Sequence, residues 1–94
     1  MKVYYKTHKQ QEYEVIAVCD VEILGKSLGN QKISEHFYKG QLIDVDDAVQ
    51  LLKNAQNFNI AGKIIVEACI EKGIISENGF ITYDSIPFAM KFVF

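Results

Sequence analysis

The sequence predicts an α+β domain spanning residues 1–94, in which a small, mostly antiparallel sheet packs on an antiparallel helix pair. Three observations carry this. Stretches at both ends alternate with the period of two that half-buried strands require. The segment Ala61–Lys72 is apolar on two helical faces and polar only along Lys63, Glu67 and Glu71, so it must be covered on two sides. A second amphipathic stretch, from Val45 to about Ala55, directly precedes it.

Taken in order, Lys2–His8 alternates, with Val3, Tyr5 and Thr7 on one side and Lys2, Tyr4, Lys6 and His8 on the other. Glu12–Cys19 follows a polar turn. Its Val15–Cys19 run is apolar on both faces, which places it centrally in the sheet and pairs it with the first strand as a hairpin. Asp20 is read as the cap of a single helical turn over Val21–Leu24. Gly29-Asn30 between Lys26–Leu28 and Gln31–Ile33 signals a two-residue hairpin. Ser34 caps a short turn, Glu35–Lys39, anchored by Phe37 and Tyr38.

Asp44 is expected to cap the helix from Val45, with Asp46 and Asp47 in the favourable first turn. Asn57 or Asn59 then caps a helix over Phe58–Lys72 after a very short loop. Gly62 inside that helix is expected to admit close approach of its neighbour. Ile74-Ile75, Asn78-Gly79 and Phe80–Tyr83 read as a hairpin. In the last strand Ile86, Phe88, Met90, Phe92 and Phe94 share a face expected to cover the helix pair, with Pro87 at the strand start or on an edge.

Composition narrows function. The chain has 94 residues, is 49% hydrophobic and carries a net charge of -2, so it suits one cored domain and not a disordered segment. No apolar run is long enough to span a bilayer. The start Met1-Lys2-Val3 enters a strand at once, so no signal peptide and a cytoplasmic location are expected. All ten basic residues are lysine, which removes the bidentate arginine fork for guanine and phosphate. Residues 1–40 hold six lysines against five acids; residues 41–94 hold four against seven. Cys19 and Cys69 lack metal spacing and read as small core residues, with a disulfide as the alternative.

Candidate chemistry is sparse. His8 and His36 have no partner at catalytic spacing. The Asp44, Asp46, Asp47 cluster lacks the pattern of a calcium loop. Gly25-Lys26-Ser27 resembles only the tail of a phosphate loop. The order of elements over 45–83 mimics a winged helix, but its second helix would present Lys63, Glu67 and Glu71, a net negative face. Neither a catalytic site, a metal nor a cofactor is therefore expected. Lys2, Lys6, Lys9, Lys26, Lys32, His36 and Lys39, mixed with Tyr4, Tyr5, Tyr13, Phe37 and Tyr38, form the candidate nucleic-acid surface.

Several segments resemble domain-of-unknown-function family 424, small archaeal proteins. They are Ile16–Asp20 with Leu24–Ser27, the Glu35–Gly40 segment, Asn59-Ile60-Ala61-Gly62, Gly73, and Ile86-Pro87-Phe88-Ala89. The family usually has His where this chain has Phe88, so chemistry resting on that His has no counterpart here. The resemblance implies an archaeal, cytoplasmic setting, no established activity, and an association with translation or RNA. The leading expectation is a non-catalytic binding module of a ribonucleoprotein or protein complex, without membrane contact. The alternatives are a small enzyme or ligand binder using His8, His36 or Asn59 beside a pocket, and a structural homo-oligomer, such as a homodimer, through the C-terminal strand.

Overall fold

A computed structural model describes residues 1–93. The chain runs β1 (Lys2–Gln10), β2 (Tyr13–Asp20), a 3-10 turn (Val21–Ile23), β3 (Ser27–Leu28), β4 (Gln31–Lys32), α1 (Glu35–Tyr38), β5 (Gln41–Asp44), α2 (Val45–Lys53), β6 (Phe58–Ala61), α3 (Lys63–Glu71), β7 (Ile81–Tyr83) and β8 (Ile86–Lys91). Six strands form one sheet in the order β5-β1-β2-β6-β8-β7; β3 and β4 pair separately. Every neighbouring pair is antiparallel except β2 with β6. The α+β expectation therefore stands: a mostly antiparallel sheet packs on two helices.

Strand alternation divides the core in two. Ile16, Val18, Phe58, Ile60 and Ala89 face α2 and α3, packing with Leu52, Ile65, Val66 and Cys69. Ala17, Cys19, Ala61 and Ile86 face the other way, under Leu28, Ile33 and Tyr38. Ile65 is fully buried, as a correctly placed helix pair requires. β2 is central and buried on both faces, as its apolar run predicts.

Several expectations are corrected. The helix expected from Phe58 begins only at Lys63, because Phe58–Ala61 is a strand between β2 and β8. An apolar run of this kind suits a buried strand as well as a buried helix. That strand also replaces the tight turn of the winged-helix reading. Asn57 and Asn59 cap nothing. Instead Asn57 Nδ2 donates to the Glu14 carbonyl at 3.1 Å and its Oδ1 accepts from Val93 N at 2.7 Å.

Gly62 is no helix-interior glycine. It precedes α3 at φ 117°, a conformation L side chains rarely adopt. The space a side chain would need holds the Asp20 carboxyl, whose Cβ would lie 2.6 Å from an added Cβ. Asp20 likewise caps no local turn. Its carboxylate accepts from Ile64 N at 2.8 Å and Ile65 N at 3.0 Å, capping α3 from 44 and 45 residues away. Asp44 makes no side-chain cap and pairs with Lys2 at 3.1 Å.

The C-terminal hairpin turns at Asp84-Ser85, both with positive φ, and not at Asn78-Gly79. Ile74 and Ile75 never enter a strand, because their N–H groups close the end of α3 on the Cys69 carbonyl at 2.9 and 3.4 Å. In β8 it is Ala89 that meets the helices, while Ile86 and Phe88 pack on the opposite side. Phe94 lies outside the described residues.

Candidate functional site

The helices seal one side of the sheet; the other side is covered only in part. The β3–β4 hairpin turns at Gly29 (φ 60°), as Gly29-Asn30 predicts. The Ser34 hydroxyl caps α1 by accepting from Phe37 N at 3.0 Å. Two β1 side chains hold the carbonyls of this short helix: Lys6 Nζ donates to His36 O at 2.8 Å, and His8 Nε2 donates to Phe37 O at 2.7 Å. Orphan carbonyls and a basic partner suit each other at a helix end. His8 also stacks on Phe37, with ring centroids 4.5 Å apart.

Between this cap and β6, β8 and β7 lies an open groove of about 560 Å³, and a second space of about 440 Å³ shares Tyr38, Asn59, Ile81 and Phe88 with it. Asn59 sits mid-strand in β6, between Ala17 of β2 and Met90 of β8, and forms the floor. Tyr38 Oη donates to its Oδ1 at 2.7 Å. Burial pushes the Tyr38 phenol well above its usual range, with the neighbouring Cys19 thiol adding to the shift, so the hydroxyl stays protonated. Phe37, Phe88 and Tyr83 supply aromatic walls, and Lys32 lies on the rim.

The lining residues include no Asp, Glu, His or Cys. Among the described residues no group of three or more such side chains could hold a metal ion. The two thiols are free and buried, Cys19 pushed up to about 12 by burial and by Asp20, and Cys69 up to about 11 by burial. Asp20 is also raised, first by burial, against the lowering effect of the Ile64 and Ile65 N–H groups. It lies at the sheet-to-α3 joint and does not line the groove.

The seven basic residues expected to form one surface are distributed differently. Lys2 and Lys39 are paired with Asp44 and Glu35, the latter at 3.7 Å. Lys6 is committed to the α1 carbonyl, and Lys9 stands opposite Glu14 at the far end of the β1–β2 hairpin. Lys26, Lys32 and His36 are exposed, and of the three only Lys32 lines the groove. Ser27 opens a strand, so Gly25-Lys26-Ser27 does not lead into a helix as a phosphate loop would.

Asn59 is the one residue of the His8, His36, Asn59 set that reaches the pocket. The walls from Tyr83 and Phe88 were not legible in the sequence. A polar residue inside the apolar Phe58–Ala61 run was the available signal.

A family profile described as Protein of unknown function (DUF424) matches residues 7–94. The chain belongs to this family. No curated protein matches it. Among solved structures, an uncharacterized conserved protein from the archaeon Methanopyrus kandleri is similar, with a TM-score of 0.72 and 24% identity over 96% of this chain and 90% of that one. At that identity the likeness shows that this DUF424 chain and the Methanopyrus protein share a fold. Among the described residues, no helix of this DUF424 protein is long and apolar enough to cross a membrane.

Proposed function

We propose that this DUF424 protein is a non-catalytic binding module of a larger, RNA-containing, translation-related complex, and that the groove is its docking site. The composition of the groove supports the reading. Aromatic rings, amides and one lysine suit recognition of an unpaired, anionic strand by stacking and hydrogen bonds. With Tyr38 held protonated and no carboxylate or imidazole in the lining, the groove offers no general base near neutral pH. The acids Asp46, Asp47, Glu67 and Glu71 lie on α2 and α3, across the sheet from the groove, where they do not repel an anionic partner.

Fluorescence anisotropy with a short labelled oligouridine tests this. Binding should be weak and should fall only shallowly with salt, because the salt slope scales with the number of phosphates neutralised and few lysines meet them. Lys26→Glu with Lys32→Glu should abolish it, whereas Lys2→Glu should leave it unchanged. Absence of binding at low salt, or loss only with Lys2→Glu, overturns the proposal. The polar floor also favours a second reading, a small-ligand site. Free mononucleotides binding as tightly as the oligomer would replace the RNA reading with that one.

A further inference from the structure

We propose that the protein self-associates through β7: two copies pair these end strands antiparallel, about a two-fold axis at Thr82, into one continuous sheet. The inference is independent of what the groove binds.

β7 closes one end of the six-stranded sheet, and Ile81, Thr82 and Tyr83 are all exposed. Open sheet edges are commonly guarded by a charge, a proline or a bulge. β7 holds no charged residue and no proline, and its Ile81 and Tyr83 are 69% and 55% exposed. The strand at the other end, β5, is guarded. It finishes in Asp44, which pairs with Lys2, and runs directly into α2.

The register of β7 identifies its open backbone groups. Opposed residues of an antiparallel pair exchange two hydrogen bonds or none. Thr82 stands opposite Pro87, which has no N–H to donate. The two therefore form a non-bonded pair, and the Pro87 carbonyl accepts instead from Gly62 N at 2.9 Å, on the far side of β8. The N–H and C=O of Thr82 both point away from β8, toward the open edge.

A donor and an acceptor on one edge residue complement their own copy. Two chains turned about an axis between their Thr82 residues exchange N–H···O=C bonds in both directions. The adjacent positions become non-bonded pairs, where side chains approach most closely, so Ile81 of each copy meets Tyr83 of the other. Aromatic and β-branched residues are favourable cross-strand partners. Any extended strand can supply the two bonds; the Ile–Tyr match on both sides of the axis selects a second copy. A contact of this kind uses one patch twice and closes at the dimer.

Ile81 stands opposite Phe88 and Tyr83 opposite Ile86, so both lie on the groove face and line the groove. The axis runs perpendicular to the sheet, so the two grooves open side by side on the same face. Three exposed residues offer roughly half of the ~800 Å² per partner that a standard interface buries, so the dimer is weak and concentration-dependent.

The test is sedimentation velocity of the full chain from micromolar to millimolar concentration, with NMR amide exchange at both ends of that range. The mass should rise toward the dimer and stop there, and exchange of the Thr82 amide should slow as it does. Ile81→Lys, at an exposed position, should keep the fold by circular dichroism and weaken association at least about tenfold. Leu42→Lys, on the exposed side of β5, should leave association unchanged. A chain that stays monomeric throughout overturns the proposal. So does a mass that grows past the dimer, a Thr82 amide indifferent to concentration, or a dimer that Leu42→Lys weakens and Ile81→Lys does not.

Discussion

The two faces of the sheet are built from alternate residues of the same strands, yet they end differently. On one face, Phe58, Ile60, Val18 and Ile16 meet two nine-residue helices and are fully enclosed. On the other, Ala17, Ala61 and Asn59 are small or polar, and their cover is a four-residue helix and a two-stranded hairpin. The helix face buries large side chains and stabilises the fold. The opposite face supplies less apolar area and leaves a groove with a hydrogen-bonding floor. Binding surface is what remains where a sheet is not fully covered.

The joint between the faces is the most sensitive point. Gly62→Leu forces a side chain to φ 117° and into the Asp20 carboxyl. The expected loss is on the order of 5 kcal/mol, from backbone strain and overpacking together. Unchanged thermal stability of this variant would show that Asp20 and Gly62 do not meet as described.

Damage to the helix face alone should leave the groove working. Leu52 is fully buried there, and Leu52→Ala should cost about 3 kcal/mol in urea unfolding. Oligouridine affinity, measured where the variant remains folded, should be unchanged. A matching loss of affinity would mean the two faces are not separable.

Asp20 adds a pH dependence at the joint. Its carboxyl has a higher pKa folded than the 3.8 of the free group, so the native state binds more protons between those two values. This group's contribution therefore falls as pH rises through that window. Asp20→Asn keeps one acceptor for the α3 N–H groups and removes the titration. It should flatten the stability curve there and cost about 1 kcal/mol as a weakened cap near neutral pH. An unaltered curve in chemical denaturation at several pH values would rule out Asp20 as the source.

On the groove face, Tyr38→Phe removes one hydrogen bond and should cost about 1 kcal/mol, less than any helix-face truncation. The smallest expected effect is a null one. With both thiols buried and raised, iodoacetamide at mildly alkaline pH should label neither Cys19 nor Cys69 in the folded chain. Rapid labelling of Cys19 alone would show that the groove face opens.

What the sequence determined by itself is local. Alternation placed β1 and β2, a continuous apolar run put β2 inside the sheet, and Gly29-Asn30 and Ser34 specified a hairpin and a helix cap, because turns and caps act over a few residues. The tertiary structure decided matters that depend on distant partners. Phe58–Ala61 became a strand because β2 and β8 offered backbone groups on both sides. Asp20 capped α3 because parallel pairing of β2 with β6 brings Cys19 opposite Ala61, next to the start of that helix. Asn59, which short-range reasoning assigned to a helix cap, reached the groove floor because its strand turned it toward Tyr38, 21 residues earlier in the chain. Apolar pattern and capping residues state what must be buried or bonded; only the folded chain selects the partner, since hydrogen bonds and burial are satisfied in space and not along the sequence.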